Sequence, residues 1–512
     1  MAFTPIVNEV VSRQRRKLGA AQCYAELKAE SLGGESISKA LSVNVSLNLT
    51  QADAAPAGAE AVIAVNATIL LLTDAGEIMS VQAKSECVCK IAAGGLASGQ
   101  KVLASPSLIE ISNIKISGPS LSCQVLIECG FSVIAEEKIR CAETTGEGMF
   151  VKSDSFVYSD AALCKSENFE HAYELDLPSG VLKVLSLESS VMLAGAEAAS
   201  DLITITGSVV NNLIYLTNDE VPKLKNQIHT TDFRQEILAA GCSAPAQVFA
   251  EIYSGGAEFN VLGELSSGKA VLAVKNRVNA NVICNEDKAL GCIKDAYSTS
   301  HHLQLTTESY TRQSAIIYKK HTDKVDGNII LGEEAQRIDK ILCGSAAYAV
   351  LTAITPSDGK LDIEGVLYAN VLYLSEDDAG GITSVRIEVP FSSSFGLHEI
   401  TAHSVVDITA VVAEVDARNK KGREIDVQAD IVFNVNLYRP EQGAVISNVA
   451  QGEAKPQTGA ALGVYLIHGA SEAWDAAKQL NVDPQVLSEF NPELMFPSDG
   501  TQSAVIYRKR NV

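Results

Sequence analysis

Gly263-Glu264-Leu265-Ser266-Ser267-Gly268-Lys269-Ala270 comes within one residue of a phosphate-binding loop. Such a loop needs Ser or Thr after the Lys to hold magnesium, and a helix whose amino end faces the phosphates. Ala270 cannot ligate a metal, and Val271-Leu272-Ala273-Val274 behind it is strand-like. Nucleotide binding is therefore not expected. His301-His302 would point to opposite faces of a strand and could not chelate one ion together. The acidic turns at Asp74, Asn218-Asp219-Glu220 and Glu376-Asp377-Asp378 lack the alternating oxygen-ligand spacing of a calcium loop. No Gly-x-Ser-x-Gly nucleophile turn occurs. The 11 cysteines are odd in number, and Cys87-Val88-Cys89 or Cys123 to Cys129 match neither redox nor zinc spacing. Several lie in apolar strand patterns, where a thiol behaves as a small hydrophobe. No catalytic, cofactor-binding or metal site is assigned, and the chain is expected not to be an enzyme.

Size and charge narrow the partners. A chain of 512 residues exceeds what one core can serve, so several domains are expected. A net charge of -21 disfavours nucleic acid, whose phosphates need a basic face, and also disfavours anionic lipid. The single basic cluster, Arg13-Gln14-Arg15-Arg16-Lys17, reads as solvated helix surface. No stretch has the length of apolar residues that a membrane span requires, and no secretory signal is visible, so a cytosolic protein without membrane insertion is expected.

The elements that would carry any site are strands, and they recur. Ile203-Thr204-Ile205-Thr206-Gly207 through Leu216 aligns without a gap with Leu361-Asp362-Ile363-Glu364-Gly365 through Leu374. Gly, Asn, Tyr and Leu return in phase, and a weaker copy runs from Ala61 to Thr73. Ile425 to Arg439 alternates apolar and polar residues in the period-two pattern of a half-buried strand. Ala270–Cys284 and Leu121–Ala135 fill the same slot. Turns of hairpin chemistry precede all three, at Ser117-Gly118-Pro119-Ser120, Ser266-Ser267-Gly268-Lys269 and Asn419-Lys420-Lys421-Gly422-Arg423. The expected fold is mainly β, with three tandem antiparallel sandwich or barrel-like repeats at 1–140, 141–290 and 291–442. Polar, proline-containing 443–461 reads as a linker that lets the last module, 462–512, move.

That module changes period. Val464-Tyr465-Leu466-Ile467 is a short strand, and Ser471 is placed to cap a helix over 472–480. Pro484 opens a second helix, Asn491-Pro492 stops it, and Ala504-Val505-Ile506-Tyr507 closes as a strand. The order is βααβ. Trp474, the sole Trp, is expected to pack between the helices and the sheet.

Tyr465-Leu466-Ile467-His468-Gly469, Ala473-Trp474-Asp475-Ala476-Ala477-Lys478, Asn481-Val482-Asp483 and Leu487-Ser488-Glu489-Phe490-Asn491-Pro492 resemble a LysM module. The repeats, marked by Gly207, Asn212 and Tyr215 and by Gly365, Asn370 and Tyr373, resemble SPOCS domains. Tandem SPOCS units before a LysM module are the layout of the SipL-like spore coat morphogenetic proteins. The resemblance implies a non-enzymatic scaffold in the mother-cell cytoplasm, later at the forespore surface and spore coat. Its implied partner is a coat basement protein resembling SpoIVA, gripped by the LysM-like tail. The expected contact residues are Ile467, His468, Gly469, Ala470, Ser471, Trp474, Asn491, Leu494, Met495 and Phe496. Two other outcomes stay open: a self-assembling homo-oligomer of a spore-surface layer or fibre, and a binder of peptidoglycan or other N-acetylglucosamine glycan. Sugar-binding modules usually carry Gly-Asp-Thr where this chain has Gly469-Ala470-Ser471, which counts against the glycan.

Overall fold

A computed structural model describes residues 6–97, 99–144, 149–265, 270–376, 381–456, 462–470, 472–497 and 501–507. Its strands fall into three groups. The first is β1 (Ile6–Glu30), β2 (Ile37–Ala55), β3 (Gly58–Thr73), β4 (Ile78–Ala92), β5 (Val102–Ser117) and β6 (Ser120–Thr144). The second is β7 (Met149–Asp176), β8 (Val181–Ala199), β9 (Leu202–Thr217), β10 (Leu224–Leu238), β11 (Gln247–Leu262) and β12 (Val271–Ser298). The third is β13 (His301–Ile330), β14 (Ile338–Ser357), β15 (Lys360–Ser375), β16 (Ile382–Gly396), β17 (Val405–Asn419) and β18 (Glu424–Ala454). The chain ends with β19 (Leu462–His468), α1 (Ala473–Leu480), α2 (Pro484–Phe490) and β20 (Thr501–Tyr507). The protein is mainly β, in several antiparallel sheets, as the alternation predicts.

In each group the second, third and fourth strands form one antiparallel sheet: β2-β3-β4, β8-β9-β10 and β14-β15-β16. The other sheet sets the last strand between the fifth and the first: β5-β6-β1, β11-β12-β7 and β17-β18-β13. A parallel pairing of Arg13 with Asp160 joins the first two of these into a six-stranded sheet. The central strands β3, β9 and β15 alternate buried with less buried residues over most of their length and carry a run of three buried residues near the end. Gly207 faces Phe233 across β9 and β10, and Gly365 faces Phe391 across β15 and β16. A Cβ at either glycine would lie 2.5 Å from the opposing ring. The aromatic ring therefore occupies the space of the missing side chain. In β3 the same place holds Ile63, opposite Cys87.

Several expectations need correction. The 140/141, 290/291 and 442/443 boundaries fall inside β6, β12 and β18. Each last strand continues beyond its clean alternation to pair with the start of its group's first strand, Ser298 with Met149 and Ala454 with His301. The stretch read as a linker is thus strand through Ala454, while 457–461 lie outside the described residues. Gly443, a linker signal in the sequence, is opposite Tyr310, whose ring lies 2.4 Å from where its Cβ would be. Ring packing selects that glycine. Ser266–Lys269 also lie outside the described residues, but the flanking Leu262 and Val271 pair as antiparallel neighbours and no helix follows. Asp377 and Asp378 of the third acidic turn are likewise outside. His301 and His302 open β13, where His301 bonds the Ser300 hydroxyl at 2.9 Å. One disulfide, Cys242–Cys284, is present; the other nine cysteines are free, and all but Cys23 are buried.

The groups close on one another in a cycle. β5 packs on β14, β11 on β2 and β17 on β8. Leu70, Ile214 and Leu372, each the thirteenth residue of its central strand, meet in one cluster with Leu41, Leu185 and Cys343. At the first strands a triangle of hydrogen bonds closes the cycle. The Ser12 hydroxyl donates to the Ser159 carbonyl (2.9 Å), the Ser159 hydroxyl to the Gln313 carbonyl (3.1 Å), and the Gln313 amide to the Arg15 carbonyl (2.5 Å).

The basic cluster sits at this junction on strand β1, not on a helix. Arg13 pairs with Glu136 (3.2 Å) and Asp160 (3.1 Å), and Arg15 and Lys17 both pair with Asp407 of β17. The Arg15 guanidinium also lies 4.2 Å from the centre of the Phe249 ring. Burial opposes its charge, but Asp407 and Glu251 more than offset this and raise its pKa. Period-two alternation places Arg13, Arg15 and Lys17 on one face of β1, where Arg15 is covered while Arg13 and Lys17 stay 43% and 41% exposed.

Two outcomes follow for stability. Arg15→Ala leaves Asp407 largely buried without its best partner, and should cost about 3–5 kcal/mol in equilibrium denaturation. Gly365→Ala drives a methyl into Phe391 and should cost about 1–3 kcal/mol in the same measurement.

Candidate interaction site in the C-terminal module

The last module is built around a two-stranded antiparallel sheet in which Val464 faces Val505 and Ile467 faces Gln502. Alternation divides β19 cleanly. Ile467 points inward and is fully buried, whereas Leu462, Val464 and Leu466 point outward at 65%, 70% and 58% exposure. Val505 of β20 joins the outward set. Four apolar side chains on the solvent face of a small sheet form a continuous patch, a common mark of interaction surfaces.

Its interior comprises Ile467, Ala470, Ala476, Ala477, Leu480, Val482, Leu487, Ala504 and Ile506. The first helix begins at Ala473 with Glu472 as its N-cap, where the Asp475 carboxylate accepts from the Glu472 amide at 3.2 Å. Ser471, the expected cap and a candidate contact, lies outside the described residues. The second helix has Pro484 in its first turn, and Asp483 accepts from the Gln485 amide at 2.8 Å.

The structure divides the remaining candidates three ways. Ile467, Ala470 and Asn491 are buried and face no partner. The Asn491 amide nitrogen donates to the Leu487 and Val505 carbonyls at 2.9 Å each, and its oxygen accepts from the Val505 amide. It ties α2 to β20. Trp474, Leu494 and Phe496 pack part-buried against the interior. His468, Gly469 and Met495 are exposed, with His468 bonded to the Thr501 hydroxyl at 3.0 Å. The nine described positions among these ten therefore do not form one continuous contact face.

Trp474 does more than fill the module. Its ring meets Tyr297 of β12 edge-on at 5.0 Å, and its indole N–H donates to Asp295 at 2.9 Å. Lys478 donates to the same carboxylate at 2.6 and 2.7 Å. The Tyr297 hydroxyl donates to the Val482 carbonyl at 2.7 Å, Lys152 pairs with Glu472 at 2.6 Å, and Lys455 donates to Asn481 at 2.5 Å. Burial would raise the Asp295 pKa, but the bonds from Lys478 and Trp474 overcome it and hold the carboxyl below its usual 3.8. The module is docked on β7 and β12 instead of moving on a linker. Sequence reasoning missed Lys152, Asp295 and Tyr297. Nothing in the residues around Tyr297 names a partner about 180 residues away.

Trp474 emission reports this docking. Asp295→Ala should weaken it by about 1–3 kcal/mol, seen as a red-shifted and more quenchable signal. Because docking depresses the Asp295 pKa, its contribution is complete above the free value and fades as pH falls through the lower docked value. The emission should therefore hold steady near neutrality and shift only below about pH 4 in the native chain.

The comparisons with known proteins place one segment. A family model described as SipL, SPOCS domain matches residues 337–420, which span β14 to β17 of the third group. No curated protein matches the chain. Through this segment the chain is related to sporulation proteins.

Proposed function

We propose that the chain is a non-enzymatic scaffold of endospore coat assembly, made of three SPOCS-like units and a LysM-like tail that binds a coat protein. The family match over 337–420 supports the sporulation context. The shared strand connectivity of the three groups, and the meeting of Leu70, Ile214 and Leu372, support three copies of one unit. In this scheme the protein acts in the mother-cell cytoplasm and then at the forespore surface.

The observation that carries a binding role for the tail is the outward apolar face of Leu462, Val464, Leu466 and Val505. It lies on the sheet surface opposite the module's interior, so a partner can reach it while Trp474 stays docked. The proposed occupant is a coat basement protein of the SpoIVA-like type, not a glycan. Ala470, at the place where sugar-binding modules carry Asp, has its side chain in the interior and offers no polar group to a sugar.

Val464→Asp together with Leu466→Asp should reduce capture of that basement protein at least tenfold in a pull-down. Trp474 emission should not change, since neither residue touches the docked face. Undiminished capture by the double variant would remove this face from the mechanism.

A further inference from the structure

Two thiols meet inside the first group. Cys23 of β1 and Cys87 of β4 have their sulfurs 3.3 Å apart. These strands belong to different sheets, β5-β6-β1 and β2-β3-β4. Cys87 faces Ile63 at the register place where Phe233 faces Gly207 and Phe391 faces Gly365. In the second group that phenylalanine packs on Phe169 of β7, the counterpart of β1, with ring centres 5.5 Å apart. An aromatic contact between the sheets is thus replaced, in the first group, by a pair of sulfurs.

The pair has a reactive asymmetry. Cys87 is buried, while Cys23 is part-exposed and gives access from solvent. The bond from the Cys23 thiol favours the Cys87 thiolate and lowers its pKa, while the same bond and burial push Cys23 up. Cys89 and Cys129 lie close behind, both buried, with their pKa values raised mainly by burial. Thiolate character at Cys87, beside a sulfur that solvent reaches, is what selects this pair among the cysteines for oxidation. The second group already carries a sheet-to-sheet disulfide, from Cys242 just beyond β10 to Cys284 of β12.

We infer that Cys23 and Cys87 form an oxidation site, which a hydroperoxide converts to a disulfide that ties the two sheets of the first group together. The Cys87 thiolate attacks one peroxide oxygen, the O–O bond breaks, and the departing oxygen leaves as water once protonated, leaving a Cys87 sulfenic acid. Cys23 sulfur then attacks Cys87 sulfur. The Cys23 proton leaves with the displaced hydroxide as the second water. Two thiols are oxidised to one disulfide, and one hydrogen peroxide is reduced to two waters. The sulfurs need approach by only about 1.3 Å to reach the bonded distance of about 2.05 Å.

The test uses the full-length chain, reduced, treated with hydrogen peroxide, alkylated and digested without reduction. Mass spectrometry should find the Cys23 peptide joined to the Cys87 peptide, two hydrogens lighter than the sum. The oxidised chain should unfold several degrees higher than the reduced one. Cys23→Ser should lose the linked peptide, keep only the part of the shift that Cys242–Cys284 contributes, and leave a Cys87 sulfenic acid that dimedone labels. The inference is overturned if both thiols are recovered alkylated while a cysteine-containing reference peptide in the same reaction oxidises. It is equally overturned if Cys23 is found joined to Cys89 or Cys129 instead. Neither readout involves a coat partner, so the result is independent of the tail's proposed role.

Discussion

The triangle from Ser12 to Ser159 to Gln313 and back to Arg15 is the constraint around which the strand groups are arranged. Polar backbone groups on the first strands of three groups are brought together away from water, where an unmade hydrogen bond would be costly. Each side chain satisfies a neighbouring group's carbonyl, so no group can shift without breaking two of the contacts. The ion pairs of Arg13, Arg15 and Lys17 surround the triangle and add charge to the same restraint. Away from this polar junction the groups meet through further hydrogen bonds, such as Ser345 to Glu188 and Asn281 to the Ala104 carbonyl, and through an apolar cluster with Leu70, Ile214 and Leu372 at its centre. Polar contacts set the orientation and hydrophobic burial supplies most of the stabilisation.

Docking of the last module follows from the same economy of surface. β12 extends beyond its own sheet's core and carries Asp295 and Tyr297 to its far end. There they meet a Trp and a Lys one helical turn apart on α1, at positions 474 and 478, which share one face. A single carboxylate receives both donors and keeps its charge through them. The opposite surface of the module stays free, and that division lets one small domain be held and still present an apolar face.

Most of the strands were legible in the residues. Alternation in Ile425–Arg439 predicts β18, and the in-phase Gly, Asn and Tyr marks locate β9 and β15. The βααβ order of the tail, and Pro484 opening its second helix, were also readable, because capping and period are local properties. Strand ends were less legible. Gly443 resembles a linker residue in one dimension, yet it is there because Tyr310 stacks over it. Arg13–Lys17 resembles a solvated basic surface, which holds for Arg16 and Lys17 but not for Arg15, since charge composition does not reveal which residue a neighbour will cover.

The sequence alone determined that this protein is β-rich, acidic and built from recurring strands, since period, turn chemistry and net charge depend only on neighbours along the chain. Tertiary structure decided what those strands do to one another. It buried Arg15, turned Asn491 from a candidate contact into an internal tie, and placed Cys23 beside Cys87. These outcomes depend on residues far apart in sequence being brought within bonding distance, and hydrogen bonds and ion pairs act only over a few ångströms.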